Sequence, residues 1–277
     1  MLKYEEKYIA KGQGLSNVGA LCYFNSLLQC LMSCPQIYET MAKICPDNDL
    51  YKFWSASLRG ESIADNHIVL WKKMLEMASK RKDKIIMDQG QQDAHEGFMF
   101  LLDMFPNEVQ NLFTHTYKTT TGCENCKNII NKKLQAEYDL VVPPECKNLQ
   151  EYVKSYVVEL KGFSCKKCGV KDKQKNYSEL VGLREVIFII LKKYHHKTQI
   201  EIPLILKFLA ADKKHYLVYK LVAQSIHSGS MGGGHYTAIC SRADGVKNLN
   251  DSSVSPANFI SSPDVYLVFY SYMGKCL

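Results

Sequence analysis

The chain has 277 residues, of which 46% are hydrophobic and 23% charged, and its formal net charge is +7. A chain of this length can bury a sizeable core without disulfides, and this composition is typical of globular proteins. It contains no run of 18 or more apolar residues, which argues against a membrane-spanning helix. Its positive charges are scattered without a run of five like charges, so a solvated surface is favoured over nucleic-acid binding.

The N-terminal segment and the cysteines indicate the cellular compartment. The segment MLKYEEKYIAKGQG lacks the features of a secretory signal, which predicts a cytoplasmic or nuclear protein. Eleven cysteines in such a chain are expected to be reduced thiols. Metal binding or catalysis is therefore a better explanation of these cysteines than disulfide bonds.

The first hundred residues are predicted to be helical. Four apolar residues recur at the spacing of one helix face: Phe24, Leu27, Leu28 and Leu31. They predict a helix that begins at or just before Cys22. Further helices are predicted at residues 50–58, 67–80 and 93–105, the last ending before Pro106.

From about Thr114 the sequence changes to short runs rich in β-branched and aromatic residues. Strands are predicted in YKTTTG, AEYDLVVP, EVIFIILKKY, HYLVYKLVAQSI, HYTAICS and DVYLVFYSY. Since no repeat or Gly/Ser linker separates the halves, one domain over residues 1–277 is expected. Its active site is expected in the cleft between the helical and β-rich parts.

Cys22 is a candidate nucleophile because a glycine-rich segment precedes it and a helix is predicted to start there. The same helix carries three polar side chains: Asn25, Ser26 and Gln29. Unpaired backbone N–H groups and the helix dipole are expected to favour the thiolate and lower the pKa of Cys22. The alternative is a small buried apolar residue, and Cys30 and Cys34, further along the same predicted helix, are interpreted in that way.

The segment GLSNVGALCYFNSLLQCL resembles the cysteine box of the ubiquitin-specific proteases, a family of deubiquitinating thiol proteases. QQDAHEGFMFLLD resembles the second box of the family, HSGSMGGGHYTAIC its histidine box, and LNDSSV with VYLVFY its terminal segments. These segments follow the order of the family and extend from Gly14 to Tyr270.

The resemblance implies an α+β fold of the papain-like class. A helical thumb would cover about residues 1–112, zinc-bearing fingers about 113–182, and a β-rich palm about 183–277. It also implies hydrolysis of the isopeptide or peptide bond after the C-terminal glycine of ubiquitin, through a thioester on Cys22.

His235 follows Gly232, Gly233 and Gly234 and opens a predicted strand. A strand would hold the imidazole rigidly, while the glycines allow another backbone to approach closely. The resemblance makes His235 the base that deprotonates Cys22 and later protonates the leaving amine. The alternative is a surface or core histidine.

Asn250 and Asp251 can each accept a hydrogen bond from the imidazole and fix its tautomer. The resemblance places Asn250 in the third triad position with Asp251 beside it, and which of them mainly orients His235 is left open. Leu249 replaces the aromatic residue usual in the family. The resemblance makes Asn17 the side-chain oxyanion donor, without a second one because Ala20 replaces an asparagine. The alternative for either site is an ordinary turn.

Two Cys-x-x-Cys pairs predict a metal site: Cys123 with Cys126, and Cys165 with Cys168. Two such pairs complete the tetrahedral shell of a Zn²⁺ ion without an open position, so a structural role is expected. The site also matches the zinc-bearing fingers of the resembled family. The alternative is a set of cysteines without metal.

Four further residues are candidates for substrate binding. Asp93 and Glu96 have the spacing of a helix capping box, and the resemblance makes them partners of arginines in the ubiquitin tail. His227 and Tyr236 would line a channel for the terminal glycines. The predicted partners are ubiquitin and ubiquitinated proteins, the predicted state is a monomer, and no membrane or nucleic acid is expected.

Three rival functions remain from the sequence. The first is a ubiquitin-binding module of the same fold with little or no turnover. The second is a hydrolase for another ubiquitin-like modifier. The third is a zinc-containing nucleic-acid binder, which leaves Cys22, His235 and Asn250 unexplained.

Overall fold

The computed structural model describes residues 8–81, 92–192, 198–210, 212–230 and 233–277. Its helices are α1 Cys22–Leu31, α2 Pro35–Ile44, α3 Asp49–Leu58, α4 His67–Arg81, α5 Ala94–Met104, α6 Asn107–Gln110 and α7 Leu149–Lys154. The four predicted helices are confirmed as α1, α3, α4 and α5, each within one residue at either end. In the described residues, no helix has the length and apolar character needed to cross a bilayer.

Helix α2 was not predicted from the sequence. Pro35 occupies its first turn, where the fixed φ and missing N–H of proline are tolerated. Cys34 is the N-cap residue of α2, so its assignment to the same helix as Cys30 is wrong. Both cysteines are nevertheless fully buried, as expected.

The strands form two sheets after the main helices. They are β1 His115–Cys123, β2 Ile129–Glu137, β3 Leu140–Val142, β4 Ser155–Leu160, β5 Gln174–Gly182, β6 Val186–Leu191, β7 Ile205–Leu209, β8 Tyr216–Ser230, β9 Gly233–Arg242, β10 Gly245–Asn250, β11 Ser253–Pro256 and β12 Val265–Cys276. The smaller sheet has the order β2-β1-β5-β4, and all its pairs are antiparallel. The α+β class predicted from the sequence is confirmed.

The larger sheet has the order β11-β10-β9-β8-β12-β6-β3, and β7 pairs with β8 beside this path. Only the short β3 runs parallel to its neighbour, β6. All six residues of β6 are buried, because both faces of this strand are covered. Val186, Phe188 and Ile190 face a core shared with the helices, while the alternate residues face a second core that includes α7 and β7.

All six predicted strand segments contain observed strands, but several strands were missed. The segment AEYDLVVP spans the end of β2 and all of β3. The missed strands β4, β5, β7, β10 and β11 are short or rich in charged and polar residues. Their apolar alternation is therefore weak, and pairing with neighbouring strands determines their conformation.

His115, at the start of β1, gives the fold a pH dependence. Burial lowers the pKa of His115 to about 3, and the charge of Arg184 acts in the same direction. An unfolded histidine titrates near 6.5, so the full stability is present above that pH. As the pH falls from 6.5 towards 3, the unfolded chain binds a proton that the folded chain excludes, and stability is lost.

We predict that His115→Leu reduces this acid sensitivity. At pH 4 the histidine contributes up to about 3 kcal/mol of the loss relative to pH 7. Urea unfolding at a series of pH values measures the effect. Parallel stability curves for the wild type and the variant over this range would contradict the assignment.

Candidate active site

Cys22 lies at the first position of α1, a helix whose ten residues are all buried. Helix α1 packs against β8, β9 and β10. The backbone N–H of Tyr236 on β9 donates a hydrogen bond to the Cys22 sulfur. Because Tyr236 directly follows His235, the structure brings the candidate nucleophile next to the strand that carries the candidate base.

The electrostatics of Cys22 differ from the expectation. Burial raises the pKa of the Cys22 thiol, and the charge of Asp251 adds to this. Backbone N–H groups, including that of Tyr236, act in the opposite direction but do not outweigh burial. The predicted lowering of the pKa is therefore wrong, since a helix N-terminus supplies only about 0.3–1 kcal/mol. The thiol needs a base to become a nucleophile at neutral pH.

His235 and Asn250 lie on the neighbouring strands β9 and β10. The Nε2 atom of His235 is 2.7 Å from Oδ1 of Asn250. Since this oxygen can only accept, Nε2 carries the proton and Nδ1 has the basic lone pair. Leu249 is buried in the core shared with the helices, so Asn250 is anchored without the aromatic residue usual in the family.

Asp251 lies 3.8 Å from Nε2 of His235 through Oδ2, so Asn250 is the closer partner. The carboxylate instead accepts hydrogen bonds from Asn25 at 2.8 Å and from Asn17 at 2.9 Å. Its backbone carbonyl accepts a third, from Leu15 N–H. Asp251 has a φ of 48°, which directs these groups towards the segment before α1.

Asn17 connects this turn to the start of α1. Its Oδ1 accepts a hydrogen bond of 3.1 Å from the backbone N–H of Leu21. Its Nδ2 donates to Asp251, which occupies one of the two amide hydrogens. The side chain is exposed but is held by hydrogen bonds at both its oxygen and its nitrogen.

The candidate substrate-binding residues lie around the start of α5. Asp93 caps α5 by accepting a hydrogen bond from His95 N–H, and the Tyr266 hydroxyl lies 2.8 and 2.9 Å from its two oxygens. Glu96, in the first turn of α5, is exposed. The capping interpretation of Asp93 is confirmed. The hydroxyl of Tyr236 accepts a hydrogen bond of 3.4 Å from Ala94 N–H.

His227 and Tyr236 are paired across β8 and β9, with ring centroids 4.5 Å apart. Tyr236 is buried and His227 is partly exposed. A Cβ atom at Gly234 would lie 2.4 Å from Nε2 of His227, so only glycine fits there. Of the predicted glycine run, Gly233 and Gly234 belong to β9, and Gly232 lies outside the described residues.

The four predicted metal ligands converge at the end of the smaller sheet. Their sulfur atoms all lie within 4.8 Å of one another. The Cys123 and Cys168 sulfurs are 3.8 Å apart, and those of Cys126 and Cys165 are 3.7 Å apart. Four thiolates around a tetrahedral Zn²⁺ ion, at about 2.3 Å each, would be separated by about 3.8 Å. The cluster could therefore bind a metal.

Both cysteine pairs lie on turns of the same form. The residue after the second cysteine has positive φ, 59° at Lys127 and 72° at Gly169. The backbone N–H of each donates to the carbonyl of the first cysteine, Cys123 or Cys165. This turn lets both thiols of a pair approach the other pair.

Three residues of the site were not assigned a function from the sequence: Asn25, His67 and Tyr266. Asn25 was recognised only as part of a polar helix face, although that face was a usable signal. His67 was only the first residue of a predicted helix, and Tyr266 only part of an apolar strand. Their partners are distant in sequence, so no local pattern reveals them.

Comparisons with known proteins agree with this geometry. The sequence model described as ubiquitin carboxyl-terminal hydrolase matches residues 13–270. Ubiquitin carboxyl-terminal hydrolase 2 of Homo sapiens is 26% identical, over 93% of this chain and 54% of the relative. Usp2 of Drosophila melanogaster is 24% identical, over 93% of this chain and 34% of the relative. This chain thus spans about a third to a half of the length of these relatives.

Solved structures share the fold. The SAGA DUB module of Ubp8, Sgf11, Sus1 and Sgf73 bound to monoubiquitin matches with a TM-score of 0.77 and 23% identity, over 99% of this chain and 72% of the other. The same module bound to ubiquitin aldehyde matches with a TM-score of 0.74 and 22% identity, with the same coverage. These likenesses confirm the predicted fold class. On the match over residues 13–270, the chain belongs to the ubiquitin carboxyl-terminal hydrolase family.

Proposed function

We propose that the chain is a cysteine-type deubiquitinating hydrolase that cleaves the bond after the C-terminal glycine of ubiquitin. The observation that carries this proposal is the placement of Cys22 against β9 at Tyr236, the residue that follows His235, whose ring is hydrogen-bonded to Asn250. Membership of the family supports it. The ubiquitin and ubiquitin aldehyde bound to structures of the same fold give further support.

The first half of the reaction forms a thioester. His235 Nδ1 takes the proton of Cys22 as the sulfur attacks the carbonyl of the terminal glycine. The resulting oxyanion is stabilised by the second amide hydrogen of Asn17 and by backbone N–H groups near Cys22. His235 then gives its proton to the departing amine, and the C–N bond breaks.

The second half releases ubiquitin. His235 takes a proton from a water molecule, which attacks the thioester carbonyl, and the sulfur of Cys22 leaves and is reprotonated. Because burial raises the pKa of Cys22, the thiol depends on His235 to take its proton. Asn250 accepts a hydrogen bond from Nε2–H, which keeps that hydrogen on Nε2 and leaves Nδ1 as the atom that takes and gives the transferred proton.

Substrate recognition is assigned to the start of α5 and to the β8–β9 hairpin. Glu96 is exposed and would contact arginines of the ubiquitin tail directly, with Asp93 beside it. His227 and Tyr236 would border the channel for the two terminal glycines. Ubiquitinated proteins as substrates, action as a monomer and a cytoplasmic or nuclear location stay predictions from the sequence.

A ubiquitin that carries a C-terminal electrophile tests the nucleophile. We predict a covalent adduct on Cys22 by peptide mass mapping, and no hydrolysis or adduct for Cys22→Ala, which should still fold and bind ubiquitin. Cys276→Ala is the matched control and should react normally. Binding of ubiquitin without an adduct would instead support a ubiquitin-binding module without turnover. An adduct with another ubiquitin-like modifier but not with ubiquitin would show that the other modifier is the substrate.

The neighbouring Asn250 and Asp251 should differ in their effect on stability. We predict that Asp251→Asn destabilises the fold by about 1–3 kcal/mol, because it replaces a carboxylate oxygen that accepts from the amide of Asn17 or Asn25. Asparagine tolerates the positive φ at this position, so backbone strain does not contribute. Asn250→Ala removes one exposed hydrogen bond and should cost less than about 1 kcal/mol. Urea denaturation measures the free energy of unfolding of both variants. Equal losses of stability would contradict the separate roles of Asn250 and Asp251.

The four-cysteine cluster is assigned to a structural Zn²⁺ ion. Its donors are thiolates at tetrahedral spacing, which Zn²⁺ prefers, and a closed shell leaves no position for a reacting water. The backbone N–H of Val170 and the amide of Asn125 lower the pKa of Cys168 to about 6, which favours a thiolate at that position, while burial and the neighbouring thiols raise the pKa of Cys126 to about 11. When bound, the ion would stabilise the smaller sheet.

We predict one zinc per chain by elemental analysis, and much less zinc in Cys165→Ser. A strong chelator should lower the melting temperature first and activity only as a consequence. Cys146→Ser, outside the cluster, is the control and should keep its zinc. Loss of activity on chelation at an unchanged melting temperature would contradict a purely structural role.

A further inference from the structure

The segment before α1, residues 15–17, is held from two sides. On one side, Leu15 N–H donates to the backbone carbonyl of Asp251 at 2.9 Å. On the other side, Ser16 N–H donates to the carbonyl of Ala64 at 2.8 Å. The segment therefore lies between the turn after β10 and the chain that leads into α4.

The carbonyl of Ser16 is the point where side chains from α4 and α1 meet. It accepts a hydrogen bond of 2.8 Å from Nε2 of His67, the first residue of α4, and one of 3.3 Å from the Asn25 amide. The same Asn25 nitrogen also donates to Asp251. Because Ser16 directly precedes Asn17, these bonds fix the peptide from which the Asn17 side chain projects.

The chemistry of His67 suits this role. The residue is fully buried in the structure. Burial lowers the pKa of His67, and the Ser16 carbonyl and the carboxylates of Asp65 and Asp251 act in the opposite direction. Since the Ser16 carbonyl only accepts, Nε2 of His67 must carry a hydrogen and donate it.

We propose that His67 is a positioning residue for the hydrolytic reaction, which holds the Ser16 carbonyl and thereby the orientation of the Asn17 amide. It touches neither the substrate nor Cys22, and acts only through the segment before α1. The inference rests on the proposed function, because Asn17 matters to rate only as an oxyanion donor. The N–H of an oxyanion donor must point at the position of the oxyanion, and loss of one such donor lowers kcat by about 100- to 1000-fold.

The imidazole should therefore affect kcat more than KM. Loss of the His67 bond leaves the Asn25 and Ala64 bonds to Ser16 in place, so the segment shifts rather than unfolds. We expect His67→Phe to lower kcat by about 10- to 100-fold, which is less than the loss expected from removing the oxyanion donor itself. KM should change by less than about twofold. His67→Gln places an amide N–H near the position of Nε2 and should restore most of the rate.

The experiment is a double-mutant cycle measured by steady-state hydrolysis of a C-terminal ubiquitin amide. His67→Phe is combined with Asn17→Ala, and the four proteins are compared, with melting temperatures recorded for each. If His67 acts through Asn17, His67→Phe should lower kcat by less than about threefold in the Asn17→Ala protein. His215→Gln, on the exposed connection between β7 and β8, is the control and should leave kcat unchanged.

The outcomes separate this inference from the proposed function. If the wild type turns over and His67→Phe lowers kcat by the same factor in the Asn17→Ala protein as in the wild type, the inference alone is overturned. A His67→Gln protein as slow as His67→Phe at the same melting temperature would also overturn it. Absence of wild-type turnover would overturn the proposed function and the inference with it. If His67→Phe fails to fold, His67→Asn, whose amide is too short to reach Ser16, replaces it.

Discussion

The fold depends on a single buried helix, α1, whose polar side chains must find partners because no water reaches them. Ser26 Oγ lies 3.0 Å from Ser225 Oγ on β8, and the Gln29 side chain accepts a hydrogen bond of 2.6 Å from Arg242 on β9. Asn25 donates to Asp251 after β10. Two strands and the turn after β10 thus hold one face of the helix, and rotation of α1 would leave buried polar groups unpaired at a cost of about 1–3 kcal/mol each. This constraint places Cys22 against β9.

The burial of α1 also explains the raised pKa of Cys22. A fully buried helix surrounds its first thiol with protein, so the pKa of Cys22 is raised even though the thiol lies at a helix N-terminus. In the proposed reaction the Cys22 thiol then depends on a base with a fixed tautomer, which the hydrogen bond from His235 to Asn250 would provide. Asp251 has a different task, since it joins the segment before α1 to the strand that carries Asn250.

Local sequence patterns predicted the elements whose signals are local. Helical periodicity gave α1 and its start at Cys22, and the paired cysteines gave the thiol cluster. Helix α2 was missed because only three of its ten residues are buried, so its apolar pattern is weak. The missed strands are short or polar, and pairing with neighbouring strands determines their conformation. Resemblance to a family supplied His235 and Asn250, whose proximity depends on the pairing of β9 with β10.

Residues that act through long-range contacts were beyond sequence reasoning. His67 bonds to a residue 51 positions away, and Tyr266 to one 173 positions away. The direction of the Cys22 pKa shift was also missed, because burial of a thiol depends on the whole packed core. Sequence patterns therefore indicated which groups take part, while the structure added how they are held.

The most direct test of this account is the rate at which His235→Gln hydrolyses a C-terminal ubiquitin amide, compared with the wild type. Glutamine keeps a polar side chain on β9 but cannot take the proton of Cys22. Removal of a general base costs about 100- to 10,000-fold, so the account predicts a loss of at least about 100-fold with ubiquitin binding retained. A His235→Gln protein that turns over like the wild type would contradict it.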